Sequence, residues 1–106
     1  MVKRGEVYLI NLDPTIGSEI QKTRPCVIVS PDEMNKYIRT VIIAPMTTKI
    51  RSYKSRIKVE FNDKQAQIML DQLRTIDKQR LIKKLGILST EEIKKVLSLL
   101  QEMFTY

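Results

Sequence analysis

Three short stretches hold the side chains that could do chemistry. The first is Arg24, at the mouth of the apolar run Arg24–Ser30 (RPCVIVS). A guanidinium stays cationic at every relevant pH, and its planar fork of donors matches two oxygens of a phosphate. The second is Thr47–Thr48, just past the apolar run Thr40–Ala44 and the step Pro45–Met46. A hydroxyl there could donate to a phosphoryl oxygen. The third is Lys49–Lys58, where Lys49, Arg51, Lys54, Arg56 and Lys58 occur with no acid, and Tyr53 sits among them. Phosphates call for cations, and an unpaired base calls for a flat ring to stack on. Each stretch also has a plainer reading: a surface arginine, a threonine turn, a solvated loop. The concentration of charge in the third favours a single-stranded nucleic acid.

The rest of the composition narrows the chemistry. The chain has 106 residues, which is one domain by size. Lys and Arg number 19 against 12 Asp and Glu, a net charge of +7 that attracts anionic partners. His is absent, so an imidazole base or a His-bound metal is excluded. The single cysteine, Cys26, excludes an internal disulfide and, within Pro25–Val29, reads as a small core residue. Glu19, Asp71 and Asp77 are too dispersed to form a metal site, and no metal or cofactor is expected. The first residues lack the apolar stretch of a signal peptide, and no apolar run approaches the ~18 residues of a membrane span. A cytoplasmic protein with no membrane contact is expected.

Short strands must position these side chains. Glu6–Leu12, Arg24–Ser30, Thr40–Ala44, Arg56–Phe61 and Gln67–Leu73 are β-rich, with a turn at Asn62–Asp63. Several short strands with tight turns predict a small closed or half-closed β-barrel. The period then changes. Ser89 and Glu92 form a capping box, and Ile93, Val96, Leu97, Leu100, Met103 and Phe104 follow at helical spacing. An amphipathic C-terminal helix of about 13 to 15 residues is expected, packed on the barrel or on a partner. A shorter helix is expected at Ser30–Lys36, with Ser30 as its cap, and another at Lys78–Lys83 capped by Asp77. The long polar connections Asp13–Thr23 and Met46–Ser55 are where a site would sit.

These residues resemble a known family. Gly5-Glu6-Val7-Tyr8, Asp13-Pro14, Gly17-Ser18-Glu19, Thr23–Ser30, Ala44-Pro45-Met46-Thr47-Thr48 and Asp71–Leu81 occur in the order and spacing of the MazF/PemK-type toxins of type II toxin–antitoxin systems. The resemblance runs from Lys3 to the C-terminal helix, so residues 1–106 read as a single PemK-like domain. It implies an SH3-like β-barrel of the CcdB/PemK type and a homodimer. The implied activity is that of an mRNA interferase, a sequence-specific, ribosome-independent endoribonuclease. It also implies a cognate antitoxin that lays an acidic tail across the RNA groove.

By the same resemblance Arg24 and Thr47 are catalytic, with Thr47 preferred to its neighbour Thr48. Glu19 is a supporting residue, and Gln72 and Arg74 lie near the RNA groove and dimer interface. The basic segment adds Lys49, Arg51, Tyr53, Lys54 and Arg56 as RNA contacts. The implied reaction is attack of a 2′-hydroxyl on the adjacent phosphorus, leaving a 2′,3′-cyclic phosphate and a 5′-hydroxyl. Arg24 and Thr47 suit charge stabilisation. The proton acceptor stays open among Glu19, water and a transiently deprotonated Arg24, because a guanidinium is a poor base. Two alternatives stand beside this reading: a gyrase poison of the same fold, like CcdB, and a non-catalytic RNA-binding barrel.

Overall fold

Alternating apolar and polar residues build seven strands. These are β1 (Glu6–Asn11), β2 (Thr23–Ile28), β3 (Thr40–Thr47), β4 (Arg56–Phe61), β5 (Lys64–Met69), β6 (Arg74–Asp77) and β7 (Leu81–Ile87). Two helices join them, α1 (Asp32–Tyr37) between β2 and β3, and α2 (Thr90–Met103) after β7. The structure, a computed structural model, describes residues 1–106. The strands form one antiparallel sheet in the order β4-β5-β3-β2-β1-β7.

β3 organises the sheet. One of its edges pairs with β2; the other is shared, with β6 along Thr40–Ile43 and β5 at Met46–Thr47. Pro45 has no N–H to donate and falls in the gap between those two partners. The outer strands β4 and β7 do not pair. Instead the Phe61 ring of β4 lies against Gly86 of β7, where an added methyl would sit 3.0 Å from the ring. The sheet is therefore a half-barrel, sealed at one seam by packing rather than by a ladder.

Apolar residues are buried on both faces of the central strands. One cluster fills the concave side with Val7, Val27, Ala44, Met46, Val59, Ala66 and Ile68. The other backs the opposite side with Ile10, Leu12, Cys26, Ile28, Val41, Ile43 and Ile76. α2 covers the first cluster through Val96, with Ile93, Leu99 and Leu100 beside it. The predicted capping box is present, since Glu92 N–H donates to Ser89 Oγ at 3.1 Å and Ser89 N–H to Glu92 Oε1 at 3.0 Å. Gly5 (φ +89°) packs under α2, where any side chain would collide with Ile93. Met103 and Phe104 extend the helical pattern but are exposed. No helix is long and apolar enough to cross a membrane.

Four local expectations need correction. Ser30 does not cap α1; its hydroxyl is buried against Asn35 and Ile42 N–H, and Pro31 occupies the cap position. The strand expected at Gln67–Leu73 begins earlier, at Lys64, and ends in a single 3-10 turn at Leu70–Gln72. Asp77 does cap, but only the 3-10 turn Lys78–Arg80, after which the chain is extended as β7. β3 runs on through Pro45 to Thr47, so Thr47 is a strand residue rather than a loop residue.

A buried carboxylate ties β1 to β7. Glu6 is 4% exposed, accepts from Lys3 N–H at 2.7 Å and from Tyr8 O–H at 3.3 Å, and pairs with Lys84 at 2.6 Å. Burial pushes its pKa up, but Lys84, the Lys3 N–H and Tyr8 outweigh that and hold it below the usual 4.5. Burial likewise raises Asp71, and Arg56 and Ser55 more than offset it, leaving it below the usual 3.8. Both carboxyls bind fewer protons folded than unfolded. Their stabilisation is complete above about pH 4.5 and is lost as pH falls through the lower folded values. The urea midpoint is therefore expected to stay level from about pH 5.5 to 8 and to drop below about pH 4.5. A midpoint unchanged down to pH 3 would show that neither carboxylate contributes.

Candidate active site

Strand register brings Arg24 and Thr47 together. β2 and β3 pair Cys26 with Pro45, Val27 with Ala44 and Ile28 with Ile43. The ladder ends at the Cys26–Pro45 pair, and just beyond it Arg24 and Thr47 line the same cleft. β5 then pairs Gln67 with Thr47, and β4 pairs Lys58 with Gln67. Residues directly opposite in a ladder share a face. Thr47, Gln67 and Lys58 therefore form one row across three strands. Their strand neighbours Met46, Ala66, Ile68 and Val59 belong to the concave cluster, so the row faces the other way.

Both proposed reacting groups have capacity to spare. Arg24 Nε donates to Gln21 O at 3.1 Å, which aims the guanidinium and leaves its terminal amino groups without a protein partner. Thr47 Oγ1 accepts the Lys49 N–H at 3.1 Å, which pins the oxygen and leaves its own hydrogen free. Arg24, Thr47 and Thr48 line a cleft of about 430 Å³. Pro25, Met46, Phe61, Ala66 and Leu85 are its apolar part, Lys22 and Lys64 add positive charge, and no acid lines it. Arg24 and Thr47 stand on its rim, where the row turns toward the convex face.

A second cleft, of about 210 Å³, also borders β3: Pro45 lines it, while Met46, whose side chain points to the opposite face, lines the first. The second cleft holds Glu19, Gln72 and Arg74 together with Asp71. Glu19 accepts the Ile16 N–H within the Asp13–Thr23 connection, and Arg74 reaches Leu12 O just before that connection begins. The buried Cys26 thiol feels one arginine from each cleft. Burial pushes its pKa up to about 12, against the pull of Arg24 and Arg74, which both act on it. Two guanidiniums therefore stand on one side of the sheet, above an inert thiol.

The basic segment is ordered, not a free tether. Arg56 forks onto Asp71 at 3.1 and 3.2 Å and lies over the Tyr53 ring, 4.6 Å from its centroid. Ser55 Oγ donates to the same carboxylate at 3.0 Å. Arg56 and Tyr53 thus hold each other in the protein, whereas Lys49, Arg51, Lys54 and Lys58 are exposed and form no ion pair. Two organising residues escape notice in the sequence. Gln67 lies inside an apolar run and is 1% exposed, and a polar residue in such a place is the available signal. Arg80 reaches Asn11 O at 3.1 Å and also Asp13 O, a contact across 67 residues that no local pattern announces. No three His, Cys, Asp or Glu side chains gather closely enough to hold a metal ion.

A half-barrel with a guanidinium and a free hydroxyl on the rim of an acid-free cationic cleft defines a small protein suited to handling a phosphodiester. A family model described as PemK-like, MazF-like toxin of type II toxin-antitoxin system matches residues 3–104. Endoribonuclease MazF of Staphylococcus saprophyticus is 44% identical over 102 residues, covering 91% of this chain and 85% of that protein. Two solved structures share the fold. A mycobacterial endoribonuclease in complex with its cognate antitoxin has a TM-score of 0.84 at 21% identity, covering 100% of this chain and 99% of that one. MazF from Deinococcus radiodurans has a TM-score of 0.85 at 19% identity, covering 96% and 94%. The chain belongs to the PemK-like, MazF-like toxins of type II toxin–antitoxin systems.

Proposed function

We propose that this endoribonuclease toxin cuts single-stranded mRNA at the Arg24–Thr47 rim by attack of a 2′-hydroxyl on the neighbouring phosphorus. The attack forms the O2′–P bond and breaks the P–O5′ bond. The products are a 2′,3′-cyclic phosphate and a 5′-hydroxyl. The observation that carries this reading is that Arg24 and Thr47 line one cleft with both groups partly unsatisfied. The free guanidinium donors suit two non-bridging phosphoryl oxygens, and the Thr47 hydroxyl suits the charge that grows as the phosphorane forms. The 44% identity to an endoribonuclease supports the activity, and no feature of the fold or the cleft favours a gyrase poison or a non-catalytic barrel. Cutting is specific for sequence and independent of ribosomes in this reading, and Glu19 and Thr48 are supporting residues.

The protein acts as a homodimer in the cytoplasm and is restrained by a cognate antitoxin with an acidic tail. Its +7 charge and the acid-free cleft supply the complementary field. Lys49, Arg51, Tyr53, Lys54 and Arg56 from the basic segment, with Gln72 and Arg74 from the second cleft, are the proposed RNA contacts.

The test is to incubate the purified protein with a long single-stranded RNA in excess EDTA. Discrete fragments ending in cyclic phosphate are expected. RNA that stays whole while gyrase is inhibited would overturn the nuclease reading in favour of the poison; RNA retarded but uncut would overturn it in favour of the binding barrel. Neutralising Lys49, Arg51 and Lys54 together is expected to lower the slope of log affinity against log salt by about 2. An unchanged slope would remove that loop from the binding surface.

A further inference from the structure

We propose that Gln67 is a positioning residue for RNA: its buried amide fixes the loop of residues 48–55, so that Lys49, Arg51 and Lys54 stand ready as a preformed cationic arm beside Thr47. The inference rests on the functional reading above and adds to it the device that organises the RNA surface. Gln67 is 1% exposed and sits next to Thr47 in the row across the sheet. Its side chain serves neither the strand ladder nor the core. Gln67 Oε1 accepts the Arg51 N–H at 2.9 Å, and Gln67 Nε2 donates to Arg51 O at 2.7 Å. One primary amide thus satisfies both backbone groups of the residue at the centre of the loop, as a neighbouring strand would. The Thr47 hydroxyl holds the start of the loop through Lys49 N–H, and Asp71 holds its end through Ser55.

An ordered arm has a functional consequence. A mobile loop with the same charges would have to be immobilised on each encounter, and that ordering cost would weaken binding. Fixed in advance, the exposed Lys49, Arg51 and Lys54 add phosphate contacts beside the hydroxyl without that cost. The arm contributes equally to substrate and transition state, so its loss appears in KM rather than kcat.

Gln67→Met keeps length and volume but removes both hydrogen bonds. Gln67→Glu keeps the acceptor for Arg51 N–H and sets a carboxylate against Arg51 O. Both variants are expected to raise KM for a single-stranded RNA about tenfold with kcat within about threefold. Both are expected to flatten the salt dependence of binding to an uncleavable 2′-O-methyl oligonucleotide by about one to two phosphates. Wild-type KM and salt slope in folded Gln67→Met would overturn the proposal, because a merely structural residue lowers the unfolding temperature without moving either. Should both variants fail to fold, amide exchange in the wild-type protein decides. Arg51 N–H is expected to exchange far more slowly than its neighbours Ile50 and Ser52, and equal rates would overturn the clamp. The oligonucleotide is bound and not cut, so the salt slope and the amide exchange still decide the proposal if wild-type RNA cleavage fails.

Discussion

Replacing Arg24 by alanine is expected to slow RNA cleavage by about 10² to 10³, the range seen when one donor to a developing oxyanion is removed. The unfolding temperature is expected to move little. The guanidinium makes one hydrogen bond to the protein, to Gln21 O, and lies outside both apolar clusters. Arg24→Lys retains a charge but loses the fork and the Nε contact that aims it, so most of the loss should persist. The effect belongs in kcat, because Lys22 and Lys64 still border the cleft and the basic loop still attracts RNA. Single-turnover cleavage and a melting curve on the same sample test this. If activity and melting temperature fall together, Arg24 is holding the Asp13–Thr23 connection rather than a phosphate.

The second large effect is expected at Thr47. Thr47→Val preserves shape and removes the hydroxyl, and is expected to cost about 10² in kcat. Thr47→Ser restores the oxygen and is expected to recover to within about tenfold of wild type. Thr48→Val is expected to be mild, since Thr48 is an exposed residue past the strand end, whereas Thr47 is the last residue of β3 and its oxygen is pinned by Lys49 N–H. The reverse ranking, with Thr48→Val inactive and Thr47→Val active, would move the reacting hydroxyl one residue along. Valine also deletes the acceptor for Lys49 N–H, so Lys49 amide exchange reports whether the loop start has loosened.

Much of this was legible because local patterns carry it. The Ser89–Glu92 capping box and the helical spacing after it are short-range facts, and α2 follows them closely. Asn62 and Asp63 both adopt left-handed backbone (φ 51° and 62°), as a tight two-residue hairpin requires. The proposed reacting residues, Arg24 and Thr47, stood out as residue types at strand ends. β6 and β7 did not. Lys83, Lys84 and Gly86 dilute the apolar pattern of β7, and this strand is held by pairing with β1 and by Glu6 from far along the chain. The anchoring of the basic segment was out of reach for a similar reason. Its anchors Gln67 and Asp71 lie 16 residues away from Arg51 and Ser55, a separation that spacing arguments do not reach.

The position of Thr47 where β3 changes partners has a mechanical meaning. Arg24 belongs to the strands on one side of that fork, while Thr47 hydrogen-bonds into the hairpin on the other. Any flexing of the hairpin against the remaining strands must alter the gap between cation and alcohol. If the proposed pair reacts, the curvature of the whole sheet is the calliper that sets the jaw width between them, and a distant change that flattens it is expected to lower cleavage well before the protein melts.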